Sequence, residues 1–173
     1  AFFDINQWAY VFATTYHETG STFEPIEEAN WLSQNLRIKY FRDMYDPILG
    51  KSSNRRKMAV SNGNTQKFDG EKYFGRGFVQ LTWKNNYYKY SVILGEDFIN
   101  KPELACVTEY AFKILIHGFQ TGAFTGKKIS DYINDKKKDY KRARRCINGT
   151  DKDILIARYA IEFERILKLA IIK

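Results

Sequence analysis

The chain has 173 residues, of which 44% are hydrophobic and 28% charged, so it can form one compact domain with a buried core and is not a disordered protein. Lysine and arginine number 28 against 20 aspartates and glutamates, a formal net charge of +8. No apolar run approaches the roughly 18 residues of a transmembrane helix, and no secretory signal pattern opens the chain.

The charge is unevenly distributed along the chain. Residues 1–50 contain three basic and seven acidic side chains, a net of −4, so residues 51–173 carry +12. An acidic region within a basic protein fits a carboxylate-based enzyme that acts on an anionic polymer. A basic balance also fits nucleic acid or an anionic membrane surface as a partner, and general solubility explains it without any partner.

The sequence implies no metal and no organic cofactor. Cys106 and Cys146 are too few for a disulfide framework, and we expect free, buried thiols. With only two histidines and no paired CxxC or HxxxH spacing, no zinc site is predicted. The GxG at 75–77 lacks the third glycine of a dinucleotide-binding fingerprint, and there is no Walker loop.

The first predicted element is a helix. Apolar residues from Ile5 to Tyr16 recur at helical spacing and form one stripe. Asp4 and Gln7 predict a capping box at its start. A second, short helix is predicted over residues 26–46, ending before Pro47.

The rest of the chain is also mainly helical by pattern. Residues 47–72 are rich in Gly, Ser, Asn and Lys without an apolar period, which predicts a long loop or a small lobe. The aromatic, glycine-containing segment 73–83 predicts a short strand or an extended turn. Further helices are predicted over residues 84–95, 109–119 and 153–168. The fold class is therefore mainly α with little β structure.

Glu18 is the first candidate for chemistry. It ends the first helix, where a carboxylate faces the negative end of the helix dipole, and its apolar surroundings disfavour the charged form. Both effects raise the expected pKa of Glu18, which suits a general acid near neutral pH. Taken alone, an exposed glutamate at a helix end is the simpler interpretation.

Glu27 and Glu28 follow nine and ten residues after Glu18. A tight turn at Pro25 would bring one of them back opposite Glu18. Two carboxylates in unlike environments are the groups that cleave a glycosidic bond. Two glutamates before a helix also compensate its dipole, which is the simpler explanation in isolation.

Segment 73–83, YFGRGFVQLTW, offers binding groups. Glycines on either side of Arg76 allow close backbone approach to a substrate. Gln80 and Thr82 are predicted to share one face of an extended segment, where an amide and a hydroxyl can orient water or a sugar. Aromatic rings in the segment offer stacking surfaces for sugars. Alternatively the segment is a core strand with aromatic packing.

Two weaker patterns remain. The amides of Asn86 and Asn148 can bind sugar hydroxyls or N-acetyl groups, although loop asparagines are common. Residues 136–145 contain seven basic side chains and one acidic one. Such a run is most simply a solvated face, and the functional alternative is attraction to the anionic polymers of a bacterial envelope.

Several of these motifs occur in the order found in one known family. HETG at 17–20, PIEE at 25–28 and YFGRGFVQLT at 73–82 together resemble the glycoside hydrolase family 19 chitinases and, more closely, the family-19-like endolysins of bacteriophages. The pairing of the first and last motifs is specific, whereas either alone is weak. The resemblance continues through Asn86, the Asn148 turn and Arg158.

The resemblance implies a fold and a reaction. The fold is a mainly α, lysozyme-like domain with two lobes around a central substrate cleft, and residues 1–173 form this single catalytic domain. The reaction is cleavage of β-1,4-linked N-acetylhexosamine polymers, usually with inversion at the anomeric carbon and without a cofactor.

The resemblance also implies roles for individual residues. Glu18 is the implied general acid. Glu28 is the implied general base, because its spacing fits the phage pattern without a gap, and the adjacent Glu27 is its rival. Thr82 is implied to help hold the attacking water. The residues implied to line the cleft or support the carboxylates are His17, Tyr73, Arg76, Gln80, Asn86, Asn148 and Arg158.

Departures from the plant chitinases favour the phage branch. This chain has two cysteines, a shorter span, and threonine at position 150 where the family has a second glycine. We therefore predict a phage endolysin, a lysozyme or muramidase that degrades the host cell wall and causes lysis. The alternatives are a chitinase of the same family and a basic membrane-active or polymer-binding protein without turnover.

The predicted endolysin also has an expected location and expected partners. Such a protein is made in the host bacterial cytoplasm and acts on the periplasmic cell wall after membrane permeabilisation. Its expected partner is bacterial peptidoglycan, with electrostatic contact to an anionic outer membrane or wall. Nucleic acid is not an expected partner, and the chain is expected to be a monomer.

Overall fold

The structure, a computed structural model, describes residues 3–171 and is mainly helical. Its α-helices are α1 (Ile5–Glu18), α2 (Gln34–Tyr45), α3 (Ser53–Ser61), α4 (Asp69–Lys72), α5 (Lys84–Leu94), α6 (Thr108–Thr121), α7 (Tyr140–Ala143) and α8 (Asp153–Ile171). Its short strands are β1 (Ile26–Glu27), β2 (Arg76–Gly77), β3 (Ile133–Asn134) and β4 (Lys137–Lys138). The predicted fold class, mainly α with little β structure, is confirmed.

Helix α1 forms as the sequence predicts. The Asp4 carboxylate accepts a hydrogen bond from the Gln7 N–H at 2.8 Å, and the Gln7 side chain accepts one from the Asp4 N–H at 3.3 Å. This capping box satisfies backbone donors that the first turn leaves unpaired. The helix ends at Glu18, and Gly20 follows with φ +59°. Helices α5, α6 and α8 also lie where predicted, within a few residues at their ends.

The described residues divide into two compact units. The first unit consists of residues up to 23 and from 113 onwards, and the second of residues 24–112. In the first unit α1 packs against α8 through aromatic rings. The Tyr16 and Tyr159 ring centroids are 5.0 Å apart, and those of Phe12 and Phe163 are 6.1 Å apart.

The second unit contains the antiparallel pair β1–β2, in which Ile26 lies opposite Gly77 and Glu27 opposite Arg76. Gly77 has φ +87°, and a Cβ there would lie 2.7 Å from the Ala105 carbonyl oxygen, so only glycine fits. Beside this pair is a small aromatic core formed by Ala29, Phe41 and Phe74. The stacked rings of Phe41 and Phe74 have centroids 3.9 Å apart.

The segment after Pro25 differs from the predicted helix over 26–46. Ile26 and Glu27 pair with β2, and Ala29 has φ +54°, so a helix cannot run through these residues. Helix α2 begins only at Gln34 and ends at Tyr45, before Pro47 as predicted. The tertiary pairing with β2 decides the conformation of this segment.

Residues 47–72 contain two helices, α3 and α4, where the sequence predicted a long loop or a small lobe. Ser52 caps α3 by accepting a hydrogen bond from the Arg55 N–H at 3.2 Å. Ala59 is the only residue of α3 that is buried. A helix with so little buried surface has no apolar period, which is why the pattern did not indicate it.

None of the helices within residues 3–171 has the length and apolar character needed to cross a membrane. Both cysteines are free, as expected, with Cys146 buried and Cys106 partly buried. Burial raises the pKa of the Cys146 thiol to about 12 and also raises that of Cys106.

Candidate active site

Glu18 is bound by a buried arginine. Its Oε1 accepts a hydrogen bond from Arg144 Nη1 at 2.6 Å. The Arg144 side chain is 1% exposed and that of Glu18 is 19% exposed. Arg144 Nε also donates to the Asp151 carbonyl at 2.8 Å, which fixes the guanidinium. Arg144 therefore fixes the orientation of a carboxylate that keeps some surface open to solvent.

Arg144 was missed by the sequence analysis, because it lies within the basic run 136–145. That run is not one solvated face, since Arg144 is buried and the Lys138 ammonium donates to Glu164 at 2.9 Å. The signal that the sequence offered is the position of Arg144 between the apolar residues Ala143 and Cys146, both of which the structure shows to be buried.

Glu27 lies between two arginines in the second unit. Its Oε2 accepts from Arg37 Nη2 at 2.9 Å and its Oε1 from Arg76 Nε at 3.2 Å, and its side chain is 38% exposed. Burial raises the pKa of Glu27, but the hydrogen bonds and charges of Arg37 and Arg76 outweigh this effect. The resulting pKa lies below the ordinary value of 4.5, so Glu27 is ionised at neutral pH.

Glu28 has different partners. Its Oε1 accepts from the Tyr40 hydroxyl at 3.0 Å and the Tyr45 hydroxyl at 2.6 Å, and its Oε2 accepts from the Gly75 N–H at 3.0 Å. A carboxylate offers about four acceptor positions, and these three donors of the protein use three of them. A Cβ at Gly75 would lie 2.9 Å from Oε2 and 2.7 Å from Gln80 Oε1, so the chain packs closely around this oxygen.

Arg76 and Tyr73 are interior residues. Arg76 is 6% exposed, its guanidinium lies 3.6 Å from the Phe74 ring centroid, and it donates to Glu27 and to the Tyr87 hydroxyl. Arg76 therefore supports a carboxylate. Tyr73 is 1% exposed, burial raises its pKa, and its hydroxyl donates to the Ile99 carbonyl at 3.1 Å. In contrast to its predicted binding role, Tyr73 has no surface to offer a substrate and is a packing residue.

Segment 73–83 contains the short strand β2 and a turn that joins it to α5, in agreement with the predicted short strand or extended turn. Gln80 has φ +54°, so Gln80 and Thr82 do not share one face of a strand. Gln80 Nε2 donates to the Ile26 carbonyl at 3.3 Å, and the Thr82 hydroxyl donates to the Gln80 carbonyl at 2.8 Å. Asn86 Nδ2 donates to the Thr82 carbonyl at 2.7 Å. The Gln80 amide therefore attaches this turn to β1, the strand that carries Glu27.

The other predicted residues lie in the first unit. His17 is partly buried in the last turn of α1, and Arg158 is exposed on α8. Asn148 is exposed in a turn, and its backbone N–H donates to the Arg144 carbonyl at 3.0 Å. Within residues 3–171 no three His, Cys, Asp or Glu side chains are arranged to hold a metal ion.

The contacts of Thr82 predict a moderate mutational effect. Its hydroxyl hydrogen is used by the Gln80 carbonyl, so its oxygen remains available to accept a hydrogen bond from water. For the glycosidic cleavage that the resemblance implies, we expect Thr82→Ala to lower kcat about 5-fold to 10-fold without abolishing it, because one hydrogen bond contributes about 1 kcal/mol. Initial rates on a soluble oligosaccharide measure this, with Ser61→Ala, which removes an exposed hydroxyl that bonds Met58, as the control. Complete loss in a folded Thr82→Ala protein would mean that Thr82 takes part in proton transfer.

Comparisons with known proteins identify the family. The glycoside hydrolase 19 family model, described as chitinase class I, matches residues 7–134. The match spans well over half of the chain, which therefore belongs to glycoside hydrolase family 19, as the motif order predicted.

Two curated relatives match parts of the chain. A protein of Haemophilus influenzae described as glycosyl hydrolase family 19 domain-containing is 35% identical over an alignment of 110 residues that covers 56% of this chain and 52% of the relative. A protein of Hevea brasiliensis named inactive chitinase-like protein 1 is 37% identical over 65 residues, 37% of this chain and 21% of that protein. The chain thus spans about half the length of the first relative and about a fifth of the length of the second.

Solved structures share the fold. The crystal structure of chitinase C from Streptomyces griseus superimposes with a TM-score of 0.59 at 19% identity, over 95% of this chain and 60% of that chain. A crystal structure of a chitinase C mutant gives a TM-score of 0.62 at 18% identity, with the same coverage. The mainly α chain therefore has the lysozyme-like fold of these family 19 chitinases.

Proposed function

We propose that this chain hydrolyses β-1,4 glycosidic bonds between N-acetylhexosamines with inversion. The observation that carries the proposal is that the carboxylates of two motifs of a family 19 chain are each held by arginine side chains. Glu18 is bound by one buried guanidinium, whereas Glu27 is ionised, partly exposed and bound by two. Two carboxyl groups, one that gives a proton and one that accepts a proton, are the groups that cleave a glycosidic bond with inversion.

In the proposed reaction the Glu18 carboxyl gives its proton to the glycosidic oxygen as the bond to the anomeric carbon breaks. A carboxylate takes a proton from water as the water oxygen bonds that carbon from the opposite face. Arg144 stabilises the carboxylate that Glu18 becomes, because its guanidinium is already in place before the proton leaves. Thr82 helps to hold the water.

The contacts favour Glu27 over Glu28 as the base. Sequence spacing favoured Glu28, with Glu27 as its rival. Three donors of the protein occupy the Glu28 carboxylate, whereas Glu27 keeps 38% of its side chain exposed. An ionised, partly solvated carboxylate is the type of group that accepts a proton from water. We therefore assign the base role to Glu27.

We propose peptidoglycan of the bacterial cell wall as the substrate and an endolysin role in host cell lysis. The net charge of +8 supports this choice, because peptidoglycan carries carboxylates on its peptides whereas chitin is neutral. The proposal includes synthesis in the host bacterial cytoplasm, action on the periplasmic wall after membrane permeabilisation, and a monomeric protein.

Chitin is the second candidate substrate. Both superimposed crystal structures are of chitinase C, which favours chitin. One relative is named an inactive chitinase-like protein, so turnover itself has to be measured.

Parallel assays on purified peptidoglycan and on chitin test the proposal. We expect soluble fragments from peptidoglycan. Proton NMR of the first product formed should show the α-anomer, because inversion at the anomeric carbon of a β bond gives the α configuration. Release from chitin alone would establish the chitinase alternative. Binding to either polymer without release would establish the alternative of a binding protein without turnover.

The basic run predicts that wall lysis depends on salt. The exposed side chains of Lys136, Lys137, Arg142 and Arg145 attract anionic polymers, and raising salt from 0.1 M to 1 M shortens the Debye length from roughly 10 Å to roughly 3 Å. We expect lysis to weaken over this range while cleavage of a short neutral oligosaccharide is unchanged. Replacing these four residues by glutamine should lower lysis and flatten its salt dependence. Lys138 is left in place because it pairs with Glu164.

A variant of equal charge is the matched control. It replaces four exposed lysines of the second unit by glutamine, Lys51, Lys57, Lys67 and Lys101. If both variants lose lysis equally, net charge rather than the basic run attracts the polymer. If lysis by the unmodified protein does not change with salt, the basic run serves only solubility.

A further inference from the structure

We propose that Glu28, with Tyr40, Tyr45 and Gly75, forms a positioning group that fixes Glu27 for catalysis. The inference rests on the proposed function and goes beyond it, because it gives the second glutamate of the pair a distinct task. Glu28 acts through Glu27 and does not itself exchange a proton with water.

The first observation is that two hydrogen bonds join Glu28 and Gly75. The Glu28 N–H donates to the Gly75 carbonyl at 2.8 Å, and the Gly75 N–H donates to Glu28 Oε2 at 3.0 Å. These bonds lie next to the pair Glu27–Arg76 in the ladder. Strand β1 has only two residues, so the Glu28 side chain extends a ladder that is otherwise very short.

The second observation is that α2 holds both glutamates. The Tyr40 and Tyr45 hydroxyls donate to Glu28 Oε1, while Arg37 Nη2 donates to Glu27 Oε2 and to the Glu28 carbonyl at 3.0 Å. Burial, followed by the charge of Glu28, raises the pKa of both tyrosines, so each hydroxyl keeps its proton and remains a donor.

The two observations together set the direction of Glu27. Glu28 directly follows β1. Because its backbone and carboxylate are bonded to Gly75 and α2, the adjacent backbone of Glu27 is fixed as well, and the Glu27 carboxylate contacts Arg37 and Arg76. A base must be held close to its productive geometry, since a displacement of 1 Å can cost on the order of 10² in rate.

The test compares Glu28→Gln and Tyr45→Phe with Tyr110→Phe. The Tyr110 hydroxyl donates to Glu96 at 2.6 Å in the same unit and is a matched tyrosine–carboxylate control. A glutamine at 28 cannot accept from the tyrosines and the Gly75 N–H together, because it has one acceptor oxygen where Glu28 uses two. We expect Glu28→Gln to lower kcat about 10-fold to 100-fold with KM within 2-fold, Tyr45→Phe to lower it less, and Tyr110→Phe to have no effect.

The pH profile separates positioning from a purely structural role. If Glu27 moves away from its arginines, its pKa rises toward the ordinary value, so the acidic limb of kcat/KM should shift to higher pH in Glu28→Gln and Tyr45→Phe. A loss of thermal stability alone would not move that limb. Tyr45→Phe removes a single oxygen atom, so we expect this variant to fold. If Glu28→Gln does not fold, the proposal is tested with Tyr45→Phe.

Three results would overturn the inference or its basis, and they are distinguishable. Unchanged kcat and an unchanged acidic limb in both variants would make Glu28 a packing group. Complete loss in Glu28→Gln with activity retained in Glu27→Gln would make Glu28 the base, as its spacing predicted. Activity retained in Glu27→Gln and lost only moderately in Glu28→Gln would refute the proposed base while leaving Glu28 needed.

Discussion

Glu18→Gln is expected to lower kcat by at least about 10²–10⁴-fold, because a glutamine has no proton to give to the leaving oxygen. The side-chain oxygen can still accept the hydrogen bond from Arg144, so we expect the protein to fold. Initial rates on a soluble oligosaccharide measure the loss, and circular dichroism measures the fold.

The matched control for Glu18→Gln is Glu162→Gln. Glu162 forms an exposed ion pair with Arg165 at 3.3 Å on α8, so its replacement also removes a carboxylate from an arginine. We expect near-normal activity in this control. Near-normal activity in a folded Glu18→Gln protein would instead refute Glu18 as the general acid.

Glu27→Gln is expected to cause the second large loss, again at least about 10²-fold in kcat, because the carboxamide cannot accept the proton of the attacking water. Some stability should also be lost, since Arg76 is buried and loses its partner charge. Glu71→Gln is the matched control, because Glu71 pairs with Arg42 in the same unit. Equal activity of Glu27→Gln and Glu71→Gln would contradict the base assignment.

The lowered pKa of Glu27 also fixes an expected pH dependence. The base works only when ionised, and its ionised form is lost as pH falls through the pKa in the folded protein. Because that pKa lies below the ordinary value of 4.5, the acidic limb of kcat/KM set by Glu27 should lie below pH 4.5. An acidic limb above this value would assign the limb to another group.

Local sequence signals predicted the parts of the fold that depend on nearby residues. The capping box of α1 joins Asp4 to Gln7, only three residues away, so the start of the helix could be predicted from the sequence. Helix α3 could not, because a polar surface helix buries only Ala59 and leaves no apolar period. Strand β1 could not be predicted for a different reason, because its partner lies about fifty residues further along the chain.

The candidate site depended still more on distant residues. The motif order indicated Glu18 and the adjacent pair Glu27 and Glu28, but it could not separate the two neighbours. Their difference comes from contacts with α2 and with the segment around Gly75. Arg144 is 126 residues from Glu18 in sequence, and within a basic run nothing but its buried neighbours distinguishes it.

Mass analysis of the new reducing ends in digested peptidoglycan tests the central claim most directly. The wild-type protein is incubated with purified peptidoglycan, and Glu18→Gln serves as the blank. We predict fragments that end in N-acetylmuramic acid in the wild-type digest and none in the blank. Fragments that end in N-acetylglucosamine, or the absence of any new reducing end, would contradict the proposed muramidase.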